Sequence, residues 1–362
     1  MPIQGFHELL LPEELDLAET LLRQANLDMP GGVTFALGCF EDNALTGAGF
    51  LAGNVLCGIC VAANRQGEGL AASITDHLVR QALREGMRHL LLFTRPSEAP
   101  KFADLGFQLL ISTEAASLLE WGTPDYAEWL SGTRSQAGLP APPDRCPAPG
   151  AVVMNANPFT LGHRRLVLAA REQRSRVLVF VVREEASAFP FAARLDLVRE
   201  GLADLDGVAV LSGGPYMVSR ASFPSYFTGR TAHARTHAEL DCALFARRIA
   251  PDLGIDLRVV GEEPLSPVTA CYNEVMRDVL PRHGIQCLEL PRLTALGGPI
   301  SASRVRELLR RGDEQVLRDQ LPRLVPASTL AFLRSPAALP VVERLRRGVE
   351  GEENVGEGEK TF

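Results

Sequence analysis

Apolar and polar positions fall into two rhythms along this chain. In the second half, short runs that are apolar at almost every position alternate with longer stretches of helical period. The runs are AVVM (151–154), VLVFVV (177–182), VAVL (208–211), LRVV (257–260) and CLEL (287–290). Strands without polar alternation have both faces covered, the mark of a parallel sheet flanked by helices. Between them the spacing predicts helices over 163–172, 191–203, 239–250, 270–282 and 303–311. In the first half VLCGICV (55–61) and HLLLFT (89–94) read as strands. Leu70, Ile74, Leu78 and Ala82 recur at spacing four on one helical face, and KFADLGFQLL (101–110) reads as a short helix, a turn at Gly106 and a strand.

The stretch from Thr133 to Gly150, TRSQAGLPAPPDRCPAPG, breaks this rhythm. Each X-Pro pair disfavours helix and proline runs stiffen the chain, so 133–149 is expected to be an extended linker. It separates an α/β domain over 1–132 from a second over 150–335, read as a doubly wound parallel sheet of Rossmann-like type. VEGEENVGEGEKTF closes the chain with acidic, apolar-poor composition, and 336–362 is expected to be a disordered tail.

Composition narrows the partners. With 362 residues, 46% hydrophobic, and a net charge of −7, the chain does not read as one built to grip nucleic acid. No run approaches the roughly 20 apolar residues that span a bilayer, and the N-terminus lacks a basic start followed by an apolar stretch, so no membrane is expected. Seven scattered cysteines (Cys39, Cys57, Cys60, Cys146, Cys242, Cys271 and Cys287) fit a reduced, cytoplasmic setting better than a disulfide framework. Cys57 and Cys60 form a C-x-x-C inside a strand, where alternation would point the thiols to opposite faces; they read as core, not as zinc ligands. His233 and His237, four apart, read as surface or capping residues, and no metal site is predicted.

Two motifs carry chemistry. MNANPFTLGHRRL (154–166) leaves the first strand of the second domain and enters its first helix. Ligands of parallel sheets bind at such carboxyl ends. Gly162 permits close backbone approach, and a helix start offers unpaired amides with partial positive charge. His163, Arg164 and Arg165 crowd that end, an arrangement that suits a polyphosphate. PISASRVRELL (299–309) repeats the pattern, with Ser301 and Ser303 as cap candidates and Arg304 and Arg306 at the helix start.

T-x-G-H after the first strand, paired with I-S-x-S-x-x-R late in the domain, resembles the signature of the nucleotidyltransferase superfamily, which has a Rossmann-like fold. Thr160 stands where many members carry histidine, and the pantetheine-phosphate branch also has threonine there. The blocks VVMNANPFTLGHRRLV, VVREEASAFPFAARLDLVREG, GPYMVSRASFPSYF, VVGEEPLSPVTACYNEVMR and PISASRVRELL resemble, in order, the citrate lyase ligase family over nearly all of 150–333. GNVLCGICVAANRQGEGLAASI resembles the GNAT-type, acetyltransferase-like domain that precedes the nucleotidyltransferase domain in that family.

The resemblance implies an enzyme that activates acetate with ATP and magnesium, releasing pyrophosphate and forming acetyl-AMP. The acetyl group then passes to the thiol of the phosphoribosyl-dephospho-CoA group on the citrate lyase acyl carrier protein. It implies Thr160, His163 and Arg306 as catalytic residues, and ATP contacts from Asn155, Asn157, Pro158, Phe159 and Gly162 and from Ile300, Ser301 and Ser303. Gly261 and Glu262, after the strand LRVV, are candidates for adenosine contacts. Arg220 and Tyr226 in SRASFPSYF are candidates for acetate or thiol selection, the alternative being that the aromatics there are core. Arg65, Gly67 and Gly69 in RQGEGL are candidates for a CoA-like pyrophosphate, or form a purely structural turn. Arg183 and Arg194 face the phosphates or lie on the surface. No dedicated protein cage for magnesium is visible in the sequence. An adenylyltransferase for a small acceptor such as phosphopantetheine, or a nucleotide- or CoA-sensing protein, are the alternatives.

Overall fold

The computed structural model describes residues 4–140, 147–183, 187–217, 230–263 and 267–348, with the backbone alone at 230–233 and 267–268. The candidates Arg220 and Tyr226, and Cys146, lie outside the described residues. The chain forms two compact units, one of residues 1–129 with 222–244 and the other of 130–221 with 245–362.

The first unit contains β1 (Gly5–Glu8), α1 (Pro12–Gln24), β2 (Phe35–Glu41), β3 (Ala44–Ala52), β4 (Val55–Val61), α2 (Leu70–Arg84), β5 (His89–Thr94), α3 (Ala99–Ala103), β6 (Gln108–Ser112) and β7 (Ser117–Gly122). Its sheet runs β1-β2-β3-β4-β5-β7-β6, antiparallel except between β4 and β5. Those two pair only at Val55–Leu91 and Leu56–Leu92, and the gap beyond opens a cavity of about 510 Å³. This is the acetyltransferase-like arrangement that the resemblance implies. The face formed by Leu51, Leu56 and Leu92 packs on Ile74, Leu78 and Ala82 of α2, the helical stripe legible in the sequence. Phe40 and Phe50 pack on Leu21 and Leu22 of α1 across the other face.

Cys57 and Cys60 do not point to opposite faces. The register slips between Ala48 and Phe50 of β3, and Gly58 takes a left-handed φ of 60°, so β4 carries a bulge between the two cysteines. The extra residue restores both thiols to the α1 face, where they join one core cluster. Burial pushes both thiols up to about 12, which keeps them protonated and unreactive.

The second unit begins in α4 (Tyr126–Gln136), which continues the chain as helix into the stretch expected to be an extended linker. TRSQ lacks proline, and the helix ends before the first X-Pro pair is reached. There follow β8 (Gly150–Met154), α5 (Leu161–Gln173), β9 (Val177–Val181), α6 (Phe191–Gly201), β10 (Val208–Ser212), α7 (Arg230–Leu244), α8 (Ala250–Leu253), β11 (Leu257–Gly261), α9 (Pro267–Arg282) and β12 (Gln286–Leu290). A short ribbon, β13 (Thr294–Ala295) and β14 (Gly298–Pro299), leads to α10 (Ala302–Arg311), α11 (Glu314–Gln320), α12 (Ala327–Leu333) and α13 (Leu339–Arg346). The sheet is fully parallel in the order β10-β9-β8-β11-β12, as the all-apolar runs predict. Strand order reverses between β8 and β11, which places the ligand crevice of such a sheet outside their carboxyl ends.

Helix α7 is grouped with the first unit, although its sequence lies between β10 and β11. It is buried around much of its circumference, including Ala238, Leu240, Cys242 and Leu244. His237 is 2% exposed, so it is a core residue and not a surface one. The His233 side chain lies outside the described residues. No helix among the described residues is long and apolar enough to cross a membrane.

The expected tail also changes. Residues 339–346 are helical, and Val341 and Leu345 enter the same core as Val152, Val179 and Val305. The acidic composition belongs to the residues after Gly348; LPVVERLRR before them has an apolar face of its own. Replacing the fully buried Leu345 with Ala should therefore cost about 2–4 kcal/mol in urea unfolding. A loss near zero would exclude α13 from the core.

Candidate active site

The loop from Asn155 to Thr160 joins β8 to α5 at the strand-order reversal. Its alternate carbonyls all bind inward. Arg194 Nη1 donates to Asn155 O at 2.6 Å, Arg306 Nη1 to Asn157 O at 2.6 Å, and Thr329 Oγ1 to Phe159 O at 2.9 Å. Between the two arginine contacts Ala156 takes a left-handed φ of 53°, a conformation that costs a non-glycine residue about 1–2 kcal/mol. Arg194 is fully buried and also donates to Val182 O and Phe189 O. It is neither a surface charge nor a group facing the crevice. Asn155 Oδ1 accepts from Arg194 and Ser187, and Asn157 Oδ1 from the Phe189 amide, so both side chains shape the loop from within. Pro158 follows Asn157 through a cis peptide bond.

Phe159 is wholly buried, and its ring occupies the space where a Cβ on Gly201 would come within 2.6 Å. The same ring stacks beneath His163, with centroids 5.9 Å apart and planes 11° apart.

T-x-G-H proves to be a helix cap. Thr160 Oγ1 accepts from the His163 amide at 3.3 Å, and His163 Nδ1 accepts from the Thr160 amide at 3.1 Å. His163 thus takes the N3 position that Glu or Gln hold in the usual capping box. Because Nδ1 is an acceptor, the ring proton sits on Nε2. Burial, with the nearby Arg292 guanidinium, pushes the ring down to about 4. His163 is therefore a neutral donor at physiological pH, not the positive group that its place at a helix start suggests.

The second motif meets the first directly. Ser301 caps α10 by accepting from the Arg304 amide at 3.1 Å. A Cβ on Gly162 would stand 3.4 Å from the Ile300 carbonyl and 3.5 Å from Thr160 Oγ1, so the two helix starts adjoin. Arg306 is 7% exposed; besides Asn157 O, its guanidinium reaches Ser303 Oγ at 3.2 Å. Arg304 donates to Ala295 O and Leu296 O and fixes the β13–β14 ribbon. Arg164 forks onto Asp204, and Arg165 pairs with Glu172 at the surface.

Gly261 and Glu262 border the same edge. Gly261 O accepts from Asn273 Nδ2, the Glu262 amide donates to Leu290 O, and Glu262 O accepts from Arg292 Nε at 3.0 Å. Arg292 also ion-pairs with Glu263. Neither Arg292 nor Glu263 was singled out by sequence: Arg292 lies outside the quoted blocks, and within VVGEEP only Gly261 and Glu262 were taken as candidates. Among the described residues no group of three or more His, Cys, Asp or Glu is placed to hold a metal ion.

In the first unit, Gly67 and Gly69 have φ of 86° and 80°, with nothing near the position of a Cβ, and line the cavity between β4 and β5. Gly69 caps the 15-residue helix α2. Arg65 borders that cavity but is held by Glu41 at 2.6 Å and Glu68 at 2.9 Å.

Residues 149–333 match the family described as the citrate lyase ligase C-terminal domain. The chain is 39% identical to the citrate (pro-3S)-lyase ligase of Klebsiella pneumoniae over 321 residues, 87% of this chain and 91% of that one. It is 34% identical to the ligase of the same name from Escherichia coli (strain K12) over 324 residues, 87% and 88% of the two chains. Among solved structures, about a third of the chain resembles FeeM, an N-acyl amino acid synthase from uncultured soil microbes (TM-score 0.31, 14% identity, 35% of this chain and 95% of that one). The ribosomal-protein-S18-alanine N-acetyltransferase of Escherichia coli is similar at TM-score 0.27 and 16% identity, over 34% of this chain and 99% of that one.

Two outcomes follow from the geometry. In the ligand-free protein the His163 ring should stay neutral from pH 8 to about 5.5, with the proton on Nε2, as read by nitrogen NMR. Its folded-state value lies below that of the unfolded chain, so its contribution to stability is complete above about pH 6.5 and is lost as pH falls toward 4. A midpoint near 6.5 in the folded protein would contradict the cap. Arg306→Met should destabilise the second unit by about 1–3 kcal/mol in urea, because it strands the Asn157 carbonyl.

Proposed function

Because the chain belongs to the citrate lyase ligase family, we propose that it activates acetate with ATP and acetylates the citrate lyase acyl carrier protein. The observation that carries this reading is the pair of capped helix starts, α5 and α10, meeting at the strand-order reversal with the His163 Nε2–H beside them. Helix starts present orphan amides to anions, and a strand-order reversal is where a parallel sheet seats its ligand.

In this reading an acetate oxygen attacks the α-phosphorus of ATP, the bond to the bridging oxygen breaks, and pyrophosphate leaves. The thiol of the carrier's phosphoribosyl-dephospho-CoA group then loses its proton and attacks the acyl carbon, and AMP leaves. The protein's share is placement and charge stabilisation, with little covalent work. His163 donates one hydrogen bond from Nε2 to a phosphate oxygen. As a neutral group it adds a donor where charge grows, without holding the product pyrophosphate as tightly as a cation would. Thr160 fixes the ring, and Gly162 leaves space at the amides. Magnesium would arrive with the triphosphate, coordinated by phosphate oxygens and water, which suits an ion that keeps part of its hydration shell. The cavity of the first unit suits the CoA-like arm of the carrier, whose pyrophosphate would meet the amides around Gly67 and Gly69; Arg65, already paired with two carboxylates, would contribute little charge.

Purified protein with ATP and magnesium should exchange pyrophosphate into ATP only when acetate is present, and should acetylate the reduced carrier of citrate lyase. Acetate-independent pyrophosphate release with phosphopantetheine as acceptor would replace this reading with a plain adenylyltransferase. His163→Ala should lower kcat about 100-fold while the melting temperature shifts by only a few degrees.

A further inference from the structure

A triphosphate brings several negative charges to the crevice, yet the cations that mark it in the sequence are committed elsewhere. Arg164 binds Asp204, Arg165 binds Glu172, Arg304 holds the β13–β14 ribbon, and Arg194 and Arg306 are buried on loop carbonyls. His163 is neutral. One arginine on the rim is placed differently. Arg292 sits just past β12, next to Leu293, whose carbonyl accepts from the Ile300 amide at 2.8 Å. The Ile300 carbonyl in turn abuts Gly162 at the start of α5. Arg292 is therefore carried to the junction of the two helix starts by the backbone itself, and its field reaches the His163 ring.

Its present partners are a main-chain carbonyl and a carboxylate at the same edge of the sheet. Nε donates to Glu262 O, and Nη2 pairs with the Glu263 carboxylate, while Nη1 has no partner among the described residues. The Arg292 side chain is 22% exposed and that of Glu263 11%, so the pair is mostly shielded, and Arg292 leaves it only for a group that replaces the negative charge it loses. A guanidinium fork matches phosphate oxygens as well as it matches a carboxylate, and two charged forms compete for it. The Nε bond to a main-chain carbonyl would keep the guanidinium near the His163 ring when Nη2 changes partner.

We propose that Arg292 is the phosphate-binding cation of this site and that Glu263 is the carboxylate which holds it until the polyphosphate arrives. The inference rests on the ATP reading given above. It adds the charged contact which that reading lacks, and it makes Glu263 a competitor for Arg292 that weakens nucleotide binding by its presence.

Arg292→Gln and Glu263→Gln separate this from a purely structural strut. With magnesium-ATP as titrant in calorimetry, Arg292→Gln should weaken binding about tenfold or more, and should raise the KM for ATP while leaving that for acetate unchanged. Arg292→Lys should recover part of the loss. Glu263→Gln should bind at least as tightly as the unsubstituted protein, since the competing charge is gone. A strut would make both substitutions weaken binding alike, and that result, or an Arg292→Gln affinity within about twofold of the original, overturns the proposal. Melting temperatures report folding, and the His163 ring pKa, which should rise in Arg292→Gln, reports that the guanidinium stands where the geometry puts it. Failure of the ATP reading has a different signature: the unsubstituted protein would show no acetate-dependent exchange. Inorganic tripolyphosphate is the second probe, and if neither it nor magnesium-ATP binds the unsubstituted protein, both proposals fall.

Discussion

The loop between β8 and α5 carries carbonyls that neither the strand nor the helix can satisfy, and the second unit is organised around that fact. Two buried guanidiniums and one hydroxyl take them up. Desolvating an arginine is costly unless its donors are filled, so Arg194 and Arg306 hold the loop and are held by it. Arg306 lies 149 residues from the carbonyl it binds. The contact therefore closes the unit as a whole and fixes where α10 begins. Ala156 can stay left-handed because its neighbours on both sides are clamped. With the carbonyls turned inward, the crevice side of the loop is left to amides and to the His163 ring.

This division explains why charge is arranged unlike the sequence pattern. A helix start disfavours positive side chains, and the structure resolves the conflict by sending each arginine of the two motifs to a carbonyl or carboxylate. The histidine that remains is kept neutral by its cap. Oriented dipoles, more than charged side chains, therefore line the two helix starts.

The sequence made the skeleton of the second unit plain, because apolar strands and helical periods depend on local spacing. All five runs from AVVM to CLEL form parallel neighbours. Ser301 was also visible as a cap, since caps leave short-range signatures, whereas Thr160 was marked by its motif and not as the cap that it proves to be. What was hidden depends on contacts far apart in sequence. Nothing near Arg194 or Arg306 announces that each also holds a carbonyl of the β8–α5 loop, for the partners are distant in sequence. The bulge that turns Cys57 and Cys60 to one face is decided by the pairing of β4 with β3, and Gly58 was the one local hint of it. Arg292 gave no signal, because its placement beside α5 depends on the β13–β14 ribbon returning the chain there. The apolar face of α13 was masked by the acidic composition that follows it.

The placement of α7 constrains how this protein can have arisen. A helix drawn from between β10 and β11 completes the first unit, so the chain passes from one unit to the other three times. Simple end-to-end fusion of two ancestral genes, joined at the proline-rich stretch, does not by itself produce that connectivity. Recombination at the same stretch would pair a first sheet with a helix inherited from another lineage. Exchanging either unit at that stretch therefore separates α7 from the unit to which it belongs.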